Sequence, residues 1–374
     1  MPHLNVMIKP ASGMCNMRCQ YCFYEDEMQY REEGCRGFMN IETLDKTLQM
    51  IFEYADQSCS ISWQGGEPTL AGLDFFQKYV ELEEKHNSRG IPVYRAIQTN
   101  GYKLSAEWAS FFAQNRFLAG ISVDGIQRTH DKYRKDPSGN GTFNEIIKTL
   151  NLFNKFNVDY NILTVVHKET AEAISEIYQF YKENGLLYQQ YIACLDPIDF
   201  DNKENPQEWS LTAEAYGKFL IRLFDLWYED ALKGRAPYIR QFENYLDLMF
   251  GIMPESCEQR GLCAASVIIE ADGSVYPCDF YMTDDYLLGT VQHDSIEQML
   301  QSEIARDFED RSRVTPEACK NCQFFYLCRN GCYRHRIVNE NADLQNRFCR
   351  GYLMFFEHVF PKLQHLAQLV ARNR

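Results

Sequence analysis

Three cysteines fall inside eight residues, Cys15, Cys19 and Cys22 in the run CNMRCQYC. A thiol that loses its proton is a metal ligand, and the spacing C-x3-C-x2-C on a loop brings three of them to one centre. A structural zinc site or an ordinary iron–sulfur cluster takes four protein ligands. Here the set is one short, because Cys35 lies thirteen residues further on, out of step with the motif. A zinc knuckle or buried thiols would be the bland reading. A 4Fe–4S cluster on three thiolates instead leaves one iron open to an outside ligand, and it predicts that a small molecule binds there.

Eight further cysteines crowd the C-terminal third. Cys257, Cys263 and Cys278 read C-x5-C-x14-C, and Cys319, Cys322, Cys328, Cys332 and Cys349 read C-x2-C-x5-C-x3-C-x16-C. Eight thiolates make two complete sets of four, enough for two further clusters with no open iron, or for two zinc sites. The chain carries 14 cysteines, and its N-terminus, MPHLNVMIKPASG, has no signal-peptide pattern, so these thiols read as metal ligands rather than disulfides. Cys35, Cys59 and Cys194 are left over as small packing residues.

The elements that must position these groups follow from periodicity. Strands are expected at 4–11, 59–66, 92–101, 117–125, 158–166 and 187–195. Helices are expected at 41–55, 73–86 and 106–115, and around 142–156 and 170–184. Six alternations of strand and helix predict parallel β/α units, a full or partial TIM-like barrel whose polar loops gather at the C-terminal ends of the strands. After about residue 210 the pattern becomes a long helical region, then the cysteine-dense stretch 257–349, short on periodicity and held by metal, then a final helix. The expected divisions are 1–235, 236–349 and 350–374.

The net charge of −14 argues against a nucleic-acid partner and suits a basic peptide. There is no apolar run near the ~20 residues of a membrane helix. The cytoplasm is the expected compartment.

The triplet, with aromatic Tyr21 inside C-x3-C-x-Y-C, resembles the signature of the radical S-adenosylmethionine (SAM) superfamily. That resemblance implies a partial (β/α)6 barrel and a cluster whose open iron is chelated by the amine and carboxylate of SAM, which is cleaved to a 5′-deoxyadenosyl radical. GGEP (Gly65, Gly66, Glu67, Pro68) is similar to the family's motif near the methionine amine, SVDG to its ribose-contacting strand through Ser122 and Asp124. Arg134 in YRKD matches a SAM carboxylate contact, and Leu195 in CLDP an adenine-side contact. The later cysteines resemble the SPASM extension. By that resemblance Cys257, Cys263, Cys278 and Cys332 hold one auxiliary 4Fe–4S cluster and Cys319, Cys322, Cys328 and Cys349 a second, three clusters in all.

Within SPASM proteins the runs IKPAS, QGGEPTLAGL, QTNG, CLDP, FDLWYED and DGSVYPCDFY resemble the anaerobic sulfatase-maturating enzymes, leaning toward the cysteine type. The resemblance implies oxidation of a Cys or Ser in a C/S-x-P-x-R motif of a sulfatase to Cα-formylglycine, with a flavodoxin or ferredoxin as electron donor. It makes Asp279 the base, places Tyr24 and Gln64 beside the target side chain, and sets Gln98, Thr99 and Asn100 against the peptide backbone. Two alternatives stand beside it. One is a SPASM enzyme that forms a thioether or carbon–carbon crosslink in a ribosomal peptide; with the triplet at residue 15 there is no room for the N-terminal leader-binding domain common to that class. The other is a non-catalytic metal-stapled electron-transfer protein, which would need neither GGEP nor a three-cysteine site.

Overall fold

The computed structural model describes residues 3–198, 207–340 and 342–373. The chain gathers into two compact units, each built from separate stretches: Met1–Ser122, Asp131–Tyr160 and Ala264–Phe308 form the first, and Val123–His130, Asn161–Cys263 and Glu309–Arg374 the second.

In the first unit strands and helices alternate: β1 (Leu4–Ile8), α1 (Ile41–Tyr54), β2 (Cys59–Trp63), α2 (Leu73–His86), β3 (Val93–Thr99), α3 (Ala106–Gln114), β4 (Leu118–Ser122) and α4 (Phe143–Phe156). All four strands run parallel, in the register Ile8↔Trp63, Trp63↔Ile97 and Ile97↔Ala119. Their C-terminal ends therefore share one edge, and Lys9, Gln64 and Asn100 leave the sheet there. The expected strand 59–66 stops at Trp63, because the glycines that follow it turn the chain out of the sheet.

Side chains explain the layers. Helix α1 starts where Asn40 Oδ1 accepts the amide of Thr43 at 2.8 Å, a cap for one of the orphan donors. It buries Leu44, Leu48 and Ile51, the three-to-four spacing of a one-sided helix. Under α2, the fully buried Trp63 ring meets Phe76 and Tyr79 edge-on at 5.1 and 4.7 Å.

Three short strands not expected from periodicity extend this sheet: β7 (Val267–Ile269), β8 (Ser274–Tyr276) and β9 (Gly289–Thr290). Strand β7 lies parallel to β1 (Val6↔Val267), and β8 returns antiparallel to β7 (Ile268↔Tyr276). Gly273, at φ +93°, makes the turn between them. The hairpin carries Cys278 and Asp279 just beyond its second strand.

The second unit holds most of β5 (Asp159–Val166), then α5 (Ile174–Glu183), β6 (Tyr188–Ala193), α6 (Ala213–Ala231), α7 (Arg240–Met249) and α8 (Cys349–Asn373). Strands β5 and β6 are parallel (Ile162↔Gln189). The helix expected around 170–184 is two, Lys168–Glu172 and Ile174–Glu183, joined at Ala173. Helices α6 and α8 cross at glycines: a Cβ on Gly217 would stand 2.8 Å from Gly351 Cα, and one on Gly351 2.2 Å from Ala213 O. Arg374, the end of the expected final helix, lies outside the described residues. Among the described residues no helix is long and apolar enough to cross a membrane.

His335 should give this unit a pH dependence. Its ring lies 5.2 Å from that of Phe348, and burial, with Arg334 adding, pushes the imidazole down from 6.5 to about 3. The unfolded chain takes up this proton near pH 6.5, whereas the folded chain resists it until about pH 3. The stability it contributes is complete above 6.5 and is lost as pH falls through that window. His335→Gln, neutral throughout, should flatten the fall of Tm with acidification relative to wild type; parallel curves would remove His335 from the acid response.

Candidate active site

The triplet loop follows β1 and is tied to the loop after β2. Gly66 N–H donates to Ser12 O and Glu67 N–H to Met14 O, both at 2.7 Å. A Cβ on Gly66 would lie 2.1 Å from Met14 O, so only glycine admits this approach. Glu67 is buried, which raises its carboxyl from the ordinary value, and amide and hydroxyl donors oppose that shift. Its Oε1 accepts from Thr69 N (3.1 Å), Thr69 Oγ1 (2.7 Å) and Thr99 Oγ1 (2.8 Å), and its Oε2 from Asn100 N (2.8 Å). Thr99 and Asn100, expected against a peptide backbone, turn inward: Asn100 Nδ2 reaches Asn16 Oδ1 at 2.8 Å and Cys15 Sγ at 3.5 Å. Gln98 Nε2 donates to Ser122 Oγ at 3.1 Å.

On the other flank, Arg18–Cys19 pairs antiparallel with Arg134–Lys135 (Cys19↔Arg134). This short ladder brings the Arg134 guanidinium over the Tyr21 ring at 5.5 Å and to 3.9 Å from Cys19 Sγ. One cation and the carboxylate of Glu67 thus belong to the same small unit as the three thiols. Asp124 and Leu195 lie in the second unit. There Asp124 Oδ1 accepts Val165 N–H at 2.9 Å, and its own N–H donates to His130 Nδ1 at 3.2 Å.

Next to the triplet in sequence, Tyr24 joins Gln64 and Asp279. Tyr24 Oη donates to Asp279 at 2.9 Å (Oδ2) and 3.1 Å (Oδ1), and Gln64 Nε2 donates to Asp279 Oδ2 at 2.9 Å and to Tyr24 Oη at 2.8 Å. Burial, then the Asp279 charge, raises the Tyr24 hydroxyl well above 10, so it stays a donor. A fourth member went unassigned in the sequence: Lys9 Nζ stands 3.3 Å from Asp279 Oδ1. Its signal was a charged residue set directly after the half-buried strand β1.

Residues 10–181 match the radical SAM superfamily, and residues 263–323 an iron–sulfur cluster-binding domain, SPASM. The cysteine-type anaerobic sulfatase-maturating enzyme of Clostridium novyi is 42% identical over 99% of both chains. The chain belongs to the anaerobic sulfatase-maturating enzymes. The serine-type enzyme of Bacteroides thetaiotaomicron is more distant, 31% identical over 97% of this chain and 91% of its own. A solved structure, native anSMEcpe with bound AdoMet and Cp18Cys peptide, superposes with a TM-score of 0.93 at 39% identity, covering 99% of this chain and all of that one. Streptococcus suis SuiB, at 17% identity and a TM-score of 0.61 over 92% of this chain and 75% of its own, shares the fold.

The thiols of this maturase-family chain suit iron. Among the described residues no two cysteines are joined in a disulfide. Burial, with Glu67 adding, pushes the Cys15 thiol up to about 11, and metal binding supplies the positive charge that releases such a proton. Among the described residues no three Cys, His, Asp or Glu side chains close around a single ion; thiolates on a multi-iron cluster stand at the corners of a larger body. In the second unit burial, then the charges of Cys349 and Cys322, raises the Cys319 thiol, and burial with the charges of Cys349, Cys319 and Cys322 pushes Cys328 up to about 12. Cys332 is likewise raised by burial and then by charges that include Cys257 and Cys263. Cys278 stands in the first unit, one residue before Asp279.

Proposed function

We propose that the chain oxidises a cysteine, or a serine, in a C/S-x-P-x-R motif of a sulfatase to Cα-formylglycine under anaerobic conditions, in the cytoplasm, with a flavodoxin or ferredoxin as reductant. The observation that carries this reading is the buried Asp279 carboxylate, held by Tyr24 and Gln64 in the same unit as the open-ended cysteine triplet. Cys15, Cys19 and Cys22 would hold the SAM cluster, Cys257, Cys263, Cys278 and Cys332 one auxiliary cluster, and Cys319, Cys322, Cys328 and Cys349 the other. The functional divisions are the barrel 1–235, the SPASM region 236–349 and the closing helix 350–374.

When bound, SAM and the cluster on the triplet would supply the hydrogen-abstracting radical chemistry, and the auxiliary clusters would supply an acceptor for an electron. The chain does the rest. Asp279 takes the thiol or hydroxyl proton of the target, so that a C=S or C=O bond forms; a thioaldehyde then loses its sulfur to water. Tyr24 and Gln64 aim the carboxylate. Arg134 pairs with the SAM carboxylate, and Glu67, Gly65, Gly66 and Tyr21 shape the pocket for its amino-acid end, while Ser122, Asp124 and Leu195 contact its nucleoside. Gln98 lines the approach of the peptide, while Thr99 and Asn100 hold the Glu67 carboxylate.

The test is anaerobic incubation of reconstituted enzyme with SAM, a reductant and a Cys-x-Pro-x-Arg peptide, read by mass spectrometry. Loss of sulfur and gain of a hydrazine-reactive aldehyde, as deoxyadenosine accumulates, is the expected result. Deoxyadenosine formed over an untouched peptide would move the substrate to the crosslinking class.

A further inference from the structure

Lys9 is 1% exposed, and lysine is almost never fully buried without a partner. Its backbone is pinned where β1 ends, with N–H donating to Ile269 O at 2.8 Å. Its stem passes Gly65, where an added Cβ would come within 3.1 Å of Lys9 Cβ; the first glycine of GGEP thereby clears the channel the side chain uses. The ammonium then meets groups from two other stretches of chain: Met282 Sδ at 2.8 Å, Asp279 Oδ1 at 3.3 Å and the face of the Tyr24 ring at 3.9 Å.

A buried ammonium is an expensive way to fill space, and an apolar residue of similar volume often does it as well or better. What it adds is asymmetry. The Asp carboxylate is a nearly two-fold rotor, and Tyr24 Oη reaches both of its oxygens. Two groups tell them apart: the Lys9 ammonium, which has donors and no acceptor, stands on Oδ1, and Gln64 Nε2 donates to Oδ2. With Lys9 on Oδ1 and Gln64 on Oδ2, the carboxylate is held in one of its two orientations.

We propose that Lys9 is a positioning residue that locks the Asp279 carboxylate in one orientation, Oδ1 on the ammonium and Oδ2 presented beside Tyr24 and Gln64. The inference rests on the role given to Asp279 above. The experiment is a double-mutant cycle of Lys9→Met and Asp279→Asn in the reconstituted enzyme, with Lys9→Arg as the conservative variant. Three quantities are read: aldehyde formed per deoxyadenosine, KM for the peptide, and Tm of all four proteins of the cycle.

Lys9→Met should lower aldehyde per deoxyadenosine by about 10- to 100-fold, the scale of a misplaced catalytic group, while KM for the peptide changes little. Lys9→Arg should recover part of the loss, and Lys9→Met should cost nothing further in the Asp279→Asn background. Wild-type coupling in Lys9→Met, or losses that multiply in the double variant, would overturn the proposal. If Asp279→Asn itself oxidises peptide normally, the base assignment fails on its own. The Tm cycle still reads whether Lys9 and Asp279 are coupled, since independent sites add; additive Tm shifts would also overturn the lock. Should Lys9→Met fail to fold, Lys9→Arg carries the test, and coupling lost in that variant as fully as in Asp279→Asn counts against positioning by charge.

Discussion

Asp279→Asn should bind peptide, keep its iron and go on cleaving SAM, yet form aldehyde about 10²- to 10⁴-fold more slowly, the range that a positioned acid or base contributes. The substitution keeps shape and nearly keeps volume. It removes the one property the carboxylate has and an amide lacks, an oxygen basic enough to take a proton. Tyr24, Gln64 and Lys9 all point hydrogens at this group. An amide must turn its NH2 toward one of them, so the substituted side chain is both a non-base and a poor fit. The two effects separate by measurement. Failure to accept the thiol proton lowers aldehyde per deoxyadenosine, whereas misfit lowers Tm by the cost of an unmatched buried donor, about 1–3 kcal/mol. Aldehyde formation at the wild-type rate would remove Asp279 from the chemistry.

The trio Tyr24, Gln64 and Asp279 is scattered in the sequence and hydrogen-bonded in the fold. Each was placed by its likeness to a family motif, and the fold brings all three within hydrogen-bond distance across 255 residues of chain. Periodicity found β1 to β4 and their helices, because strands of five to seven residues alternate with amphipathic helices of nine to fourteen. It missed β7 to β9, because two- and three-residue strands carry no period. The signal was there in another form: Asp272-Gly273 between Val-Ile-Ile and Ser-Val-Tyr is a hairpin turn. Thr99 and Asn100 show the opposite limit. Sequence marks them as polar residues at a strand end, but it does not say that the Glu67 carboxylate, buried two loops away, claims their donors. Lys9 was invisible for the same reason: a lysine at a strand end reads as solvated until the hairpin covering it is known.

Cys15→Ala should abolish SAM cleavage, and the reason it is decisive is that the change costs the fold little. Cys15 Sγ takes only long contacts, from Met17 N at 3.4 Å and Asn100 Nδ2 at 3.5 Å. The loop is fixed instead by backbone bonds, Met14 N to Ala11 O at 2.9 Å and Cys22 N to Cys19 O at 3.1 Å. The Cβ stays, so the substitution should leave the Tm of the metal-free chain almost unchanged. The metal feels the change differently. A cluster already held by three thiolates cannot spare one, so iron should fall by about four per chain and deoxyadenosine formation to the level of metal-free protein. Cys328→Ala removes a ligand from the set in the second unit and should lower iron by a similar amount, yet it leaves the triplet intact. SAM cleavage should therefore persist in Cys328→Ala and vanish in Cys15→Ala at matched iron loss. Cleavage that survives in Cys15→Ala would detach the triplet from SAM, and with it the reading of the whole site.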